Sequence, residues 1–292
     1  MNIIDGLALA KKIRAELKEK IAASGLKPGL GVILVGNDTA SHLYVRLKEK
    51  ACAEAGIYFE KHLFQADIEE EAIIQKIQEL NSSAKIHGIL TQLPLPSHLN
   101  PDRVIAAINP NKDADGFHPE NIKLLREVWP NVEPVLAKAI WRLIEEARKK
   151  DGDEASHRTK TLIIGNSDAF IEPLELFLKQ KGLDACHIHS GQLDRQVIKQ
   201  FDIVIIAVGQ SNFLAGDDLK DGAIVIDVGI NRLPLPTGQV GDGSICGDVN
   251  FESTRDKNGW ITPVPGGVGP MTVAMLLENV YVLSLKHAGR NI

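Results

Sequence analysis

Two hydrophobic periods alternate along this chain, and their alternation predicts its architecture. Leu7 to Ala23 places Leu7, Ala10, Ile13, Leu17 and Ile21 on one helical face, with Gly25 as a stop. Gly29 to Val35 is an unbroken apolar run of strand length, followed by the loop Gly36-Asn37-Asp38. Thr39 to Ala55 is predicted as a second helix, with Asp38 or Thr39 as N-cap and Gly56 at its far end. Ile57 to Phe64 reads as a strand and Ile68 to Leu80 as a helix whose acidic first turn suits its dipole. A strand over Ile86 to Thr91 ends in QLPLP, and a helix over Pro101 to Ile108 leads into the polar loop NPNKDADGFHP. Strand and helix alternate, so the sheet should be largely parallel in an α/β fold.

A second series begins after Trp129-Pro130. Pro134 to Lys150 is a predicted helix and Asp151 to Arg158 a polar linker. Lys160 to Ile164 is a strand running into Gly165, with a helix through Gln180 and a strand over Ala185 to His189. Asp202 to Val208 and Ala223 to Val228 are apolar β-branched runs of the kind central parallel strands carry. Strand, glycine loop and helix in this repetition give a Rossmann-like layout. Near the end, Pro263 to Pro270 packs three prolines and three glycines into eight residues, a stretch expected to carry neither helix nor ladder-forming strand. It suits either an interdomain hinge or a loop that offers backbone N–H groups to a polar ligand ahead of the helix that follows. The periodicity does not place that helix.

Composition changes this picture little. The 292 residues suffice for two modest domains, and 44% hydrophobic with 24% charged residues is ordinary for a globular protein. A net charge of −5 without a basic block offers nothing to nucleic acid or an anionic membrane. Asp5 stands where a signal peptide would carry Lys or Arg, and no segment is expected to approach eighteen apolar residues, so a cytoplasmic protein is expected. Cys52, Cys186 and Cys246 are odd in number and scattered without CxxC spacing, which fits reduced, buried thiols rather than a metal site.

Three stretches carry candidate chemistry. Tyr44 and Lys48 are four residues apart on one face of the second predicted helix. That spacing fits a solvated surface pair, or a partly buried lysine whose pKa falls far enough to carry protons. Gln92 lies where a strand should end at the ligand side of an open α/β sheet, although a polar strand end stopped by Pro94 is the simpler account. In KDADGFHP, Lys112 to Pro119, the aspartates suit an ordinary Asx-type turn or a carboxylate for a ligand's ring nitrogens. One Asp pair and one His do not make a metal-ligand set, and no metal is expected.

Taken together the chain resembles the bifunctional methylenetetrahydrofolate dehydrogenase/methenyltetrahydrofolate cyclohydrolase family nearly end to end. VGNDTASHLYVRLKEKACAEAGI, GILTQLPLP, KDADGFHP, AVGQSNFLAGDDLKDGAIVIDVGINR, GDV and ITPVPGGVGPMTVAMLLEN carry the likeness. The resemblance implies a folate-binding catalytic domain of residues 1–132 and 270–292, with the C-terminal helix returning to it. It implies a Rossmann-like dinucleotide-binding domain of residues 133–269. It also implies Lys48 as the central catalytic group, Tyr44 packed on the folate ring, Gln92 tuning Lys48 and Asp115 anchoring the pterin. Pro265, Gly266 and Gly267 would complete the folate site. NADP, or NAD, would bind along Gly165, Asn166, Ser167, His189, Ser190, Val208, Gly209, Ile230 and Thr272, in a homodimer formed through the dinucleotide domain.

The cofactor side departs from the family pattern. GNSDAFIEP, Gly165 to Pro173, stands for GRSxxVGxP, so Asn166 replaces the arginine that would pair with a 2′-phosphate. Ile171 replaces a glycine and is expected to obstruct close approach. IHSGQ stands for CHSRT, with Gly191 in the basic position; PCTPxG is reduced to Pro134, and Lys123 replaces the usual glycine. The leading expectation is an enzyme interconverting 5,10-methylene-, 5,10-methenyl- and 10-formyltetrahydrofolate. A cyclohydrolase with weakened or lost dehydrogenase activity is the rival, and a non-catalytic folate-binding protein the third reading.

Overall fold

A computed structural model describes residues 1–127, 130–152, 159–233 and 245–290. Trp129 and the expected linker from residue 153 to residue 158 lie outside the described residues. The chain opens with strand β1 (Asn2–Ile3) and helix α1 (Gly6–Ser24). There follow β2 (Gly29–Val35), α2 (Thr39–Ala55), β3 (Tyr58–Phe64), α3 (Glu70–Ser82), β4 (Gly88–Thr91), α4 (Pro101–Ala106) and α5 (Pro119–Glu127). The second series comprises α6 (Val135–Asp151), β5 (Lys160–Gly165), α7 (Asp168–Gln180), β6 (Asp184–His189), α8 (Arg195–Ile198), β7 (Ile203–Ala207) and β8 (Ile224–Asp227). Short strands β9 (Asn231–Arg232), β10 (Ile245–Cys246) and β11 (Trp260–Ile261) precede the last helix, α9 (Val268–His287). Two compact units result, residues 10–135 with 273–292 and residues 1–9 with 136–272.

In the first unit β2 is the centre of a parallel three-stranded sheet, β3-β2-β4, and all seven of its residues are buried. That explains its unbroken apolar run: a parallel strand covered on both faces has no polar side to show. β3 is an edge strand, and from Glu60 to Phe64 it alternates between half-buried and exposed positions. Ile33, Val35, Ile73, Ile77, Ile86 and Ile89 form the core between the sheet and α3. At the start of α2, Asp38 accepts a hydrogen bond from the Ser41 N–H at 2.7 Å, which settles the N-cap in favour of Asp38.

The second unit is a six-stranded sheet in the order β1-β11-β8-β7-β5-β6, parallel throughout. Leu162, Ile164, Val204, Ile206 and Val225 make its core, as their β-branched runs predict. Residues 1–9 fall in this unit because β1 pairs with β11, where the sequence reading put residues 1–132 together. Two residues leave no periodicity to read.

α9 begins at Val268, so Gly269 and Pro270 of the expected helix-free stretch are helical. Pro270 sits in the first turn, where a missing N–H costs no hydrogen bond. Over eighteen residues α9 has a mean hydropathy of 1.4, long and apolar enough to cross a membrane, which the expectation from sequence missed. Burial accounts for that composition: Met271, Ala274, Met275, Leu277 and Val280 are enclosed within the fold. Of the three cysteines, all free, only Cys52 is buried and Cys186 is exposed, against the expectation of three buried thiols.

Candidate active site and nucleotide-binding edge

α2 and β4 bring the first pair of candidate residues together. Lys48 Nζ donates to Gln92 Oε1 at 2.7 Å, across 44 positions of sequence. Gln92 follows β4 directly, and its own Nε2 donates to the Leu93 carbonyl at 2.8 Å, which turns the amide oxygen toward the lysine. Lys48 is half-buried, and desolvation holds its amine below the ordinary lysine range. The Asp115 charge acts in the opposite sense, so the two groups are electrostatic neighbours. The solvated-pair reading of Tyr44 and Lys48 is therefore wrong for the lysine. Tyr44 lies half-buried one turn earlier on α2.

Asp115 is carried by a tightly tied loop. Burial pushes its carboxyl up to about 6, with Lys48 pulling it down and Asp113 adding to the rise. Asp113, buried, accepts from the N–H groups of Gly116 and His118 at 3.0 and 2.8 Å and from Asn121 Nδ2 at 2.9 Å. Gly116 has φ of +80°, and a Cβ there would lie 2.7 Å from Pro134 Cα, so only glycine fits this turn. From α9, Asn279 Nδ2 donates to the carbonyls of Ala114 and Glu133 at 3.0 and 2.8 Å. Lys112 Nζ donates to the carbonyls of Leu80 and Ser83 and closes the end of α3. The two aspartates thus divide their work: Asp113 builds the turn and Asp115 is left facing the Lys48 charge.

In the larger sheet Gly165 pairs with His189 and with Ala207, so three strand ends meet at one carboxyl edge. Asn166 bridges them: its Oδ1 accepts from the Ser190 N–H at 3.2 Å and the Ser190 hydroxyl at 2.8 Å, and its Nδ2 donates to the Val208 carbonyl at 3.4 Å. Ser167 precedes the first turn of α7, and His189 Nε2 lies 3.4 Å from Asp168 Oδ1. A Cβ placed on Gly191 or Gly209 would meet nothing within 4 Å, so the edge is open beside both.

Models of two domains match the sequence. The tetrahydrofolate dehydrogenase/cyclohydrolase catalytic domain covers residues 4–115, and its NAD(P)-binding domain covers residues 134–288. The chain belongs to the tetrahydrofolate dehydrogenase/cyclohydrolase family. It is 43% identical over 283 residues to the bifunctional protein FolD of Geobacillus thermodenitrificans, covering 95% of each chain. Its identity to the bifunctional protein FolD of Dechloromonas aromatica is 43% over 293 residues, covering 99% of each. Among solved structures it is similar to the bifunctional FolD methylenetetrahydrofolate dehydrogenase/cyclohydrolase of Campylobacter jejuni, at TM-score 0.87 and 39% identity over 99% of both chains. It is also similar to the Trypanosoma brucei FolD complexed with NADP cofactor and inhibitor, at TM-score 0.89 and 35% identity, covering 99% of this chain and 98% of that one.

Against the tetrahydrofolate dehydrogenase/cyclohydrolase pattern, the remaining candidates sit as follows. Pro265, Gly266 and Gly267 precede α9; the Gly266 carbonyl accepts from the Leu7 N–H at 2.9 Å, and Gly6 packs on the Gly267 carbonyl so closely that a Cβ would lie 2.0 Å from its oxygen. The Thr272 hydroxyl donates to the Gly269 carbonyl at 2.7 Å, and Ile230 is exposed. Ile171 is a correction: it is in the core, and its Cγ1 and Cδ1 lie 3.3 and 3.4 Å from where a Gly165 Cβ would be. Its side chain does not stand at the open edge, so the expected obstruction loses its physical basis. Sequence reasoning missed Asn279, whose position inside MTVAMLLEN reads as one more residue of an apolar helix. A polar residue on an otherwise buried helix was the available signal.

Proposed function

We propose that this chain is a bifunctional enzyme interconverting 5,10-methylene-, 5,10-methenyl- and 10-formyltetrahydrofolate by NADP-linked hydride transfer and hydrolysis. The observation that carries the reading is the half-buried Lys48 held by Gln92 and facing the Asp115 charge, in a chain that matches both domains of the family. Nicotinamide, when bound, supplies the acceptor for the hydride that leaves the one-carbon bridge. Ionised Asp115 binds the pterin nitrogens and favours the cationic methenyl product. Lys48, whose amine burial holds below the ordinary lysine range, takes a proton from the water that attacks the methenyl carbon. It returns a proton to N5 as the carbon–N5 bond breaks, leaving the formyl group on N10, and the second proton leaves to solvent. Gln92 orients Lys48, and Tyr44 packs on the folate ring.

The open edge beside Gly191 and Gly209, flanked by Asn166, Ser167, His189 and Ser190, fits a dinucleotide. Asn166 offers a neutral amide where a 2′-phosphate would gain from a cation, so NAD binding is compatible with the same edge. The hydrolase-only reading drew its steric support from Ile171, which is core. We assign residues 10–135 and 273–292 to folate binding and the remainder to the dinucleotide, and we propose a cytoplasmic homodimer on the family resemblance alone. A sedimentation mass of one chain would exclude the dimer. For the activity, methylenetetrahydrofolate would be offered with NADP or NAD while reduced cofactor is followed, and methenyltetrahydrofolate hydrolysis would be followed separately. Both should proceed; hydrolysis without cofactor reduction would exclude the bifunctional reading, and neither proceeding would exclude the enzyme.

A further inference from the structure

The carboxyl edge of the larger sheet contains a pair of buried carboxylates that the proposed chemistry does not use. Asp248 is fully buried, and its two oxygens collect four donors. Oδ2 accepts from the backbone N–H groups of Val208 and Gly209 at 2.6 and 3.1 Å; Oδ1 accepts from the Gln210 N–H at 2.9 Å and Asn231 Nδ2 at 2.8 Å. Three successive amides turned on one point form an anion-binding nest. At the end of a parallel strand such a nest would draw a ligand phosphate, but here the chain's own carboxylate fills it.

Asp248 is itself held. Asp227, the last residue of β8, accepts from the Asp248 and Gly229 N–H groups through Oδ1, at 3.0 and 2.9 Å, and from the Val249 N–H through Oδ2 at 2.8 Å. Two glycines make room for the pair. A Cβ on Gly229 would lie 2.2 Å from Asp248 Cγ, and one on Gly247 would lie 2.0 Å from Asp227 Oδ2. The loop they fix, residues 208–210, follows β7 and touches the Asn166 side chain through the Val208 carbonyl. Burial of this kind is costly unless every acceptor is met, as it is here.

We infer that Asp248 is a positioning residue for dinucleotide binding. It sets the 208–210 backbone as a preformed wall of the nucleotide edge and, by occupying the three amides, keeps the cofactor's diphosphate off this loop. Asp227, Gly229 and Gly247 hold Asp248 in place. The inference rests on the proposed NADP-linked reaction and adds the residue that shapes its cofactor site.

The test uses the full chain carrying Asp248→Asn, which keeps the size of the side chain and turns one acceptor into a donor that faces an N–H. Amide hydrogen exchange at Val208, Gly209 and Gln210, measured without ligand, should accelerate. The Kd and KM for NADP should rise roughly tenfold, the loss of one strong hydrogen bond, with kcat at saturating cofactor retained. Methenyltetrahydrofolate hydrolysis without cofactor should be unchanged, which also reports that the fold is intact. Should this variant fail to fold, Asn231→Ala removes one of the four donors and should raise the NADP Kd by a smaller factor, roughly two- to fivefold. Unchanged cofactor affinity in the folded variant overturns the inference while leaving the dehydrogenase reading intact. A wild-type chain that binds neither NADP nor NAD overturns that reading and the inference with it.

Discussion

Replacing Lys48 by Met separates catalysis from stability. The Nζ–Oε1 bond of 2.7 Å to Gln92 is the polar contact removed, and a hydrogen bond to a charged group is worth about 1.5–3 kcal/mol before desolvation is counted. Burial already disfavours the charged amine, Met fills similar volume, and half-buried Gln92 can turn to water. The net change in unfolding free energy should therefore stay within about 1 kcal/mol. The rate should respond differently. Loss of a positioned proton carrier costs roughly 10²–10⁴-fold, or about 3–5 kcal/mol of barrier. Asp115 also loses the cation that opposes its burial and should move further above about 6. Decay of methenyltetrahydrofolate read beside a urea melt gives both quantities. An unchanged hydrolysis rate in a folded Lys48→Met chain would remove Lys48 from the mechanism.

Four further outcomes are expected. Asp115, raised to about 6 by burial, must be ionised to hold the cation, so hydrolysis should climb as pH rises through about 6; a profile flat across that range contradicts the assignment. The same carboxyl binds its proton more tightly folded than unfolded, so its contribution to stability falls as pH rises from about 3.8 to about 6, and Asp115→Asn should flatten part of that fall in urea melts, Asp227 retaining the rest. Asn166→Arg should tighten NADP by roughly one to two decades and leave NAD unaffected, read by titration with each cofactor; equal shifts for both would refute a 2′-phosphate contact. Asn279→Ala leaves the Ala114 and Glu133 carbonyls without this donor and should cost about 1–3 kcal/mol of stability with a raised KM for folate, since it frees the backbone beside Asp115; wild-type values for both would show that the bond does not support the loop.

The sequence made the parallel strands legible because β2, β5, β7 and β8 are almost wholly buried and mainly apolar, with polar residues only at strand ends, Lys160 and Thr161 in β5 and Asp227 in β8. The N-cap of α2 and the glycine after it were also readable, since caps are local chemistry. What escaped was non-local. β1 is two residues long and exists only because β11 pairs with it. α5 starts at Pro119, inside what reads as the tail of a polar loop, and is anchored by the buried Asn121 and Leu125. The Lys48–Gln92 contact joins residues 44 positions apart, so spacing on one helix left open whether Lys48 was solvated. Ile171 shows the opposite failure: a family pattern suggested a steric block, but the direction of a side chain depends on the packing of α7 on β5, which a motif does not encode.

The central claim is that one chain performs both the oxidation and the hydrolysis. Its most direct test is to supply 5,10-methylenetetrahydrofolate deuterated on both bridge positions, with NADP and the wild-type chain, and to follow the label by mass spectrometry. One deuterium should appear on the reduced nicotinamide and the other on the formyl carbon of 10-formyltetrahydrofolate. Substrate recovered with both deuteria and no labelled cofactor, from a chain that still hydrolyses methenyltetrahydrofolate, would contradict it.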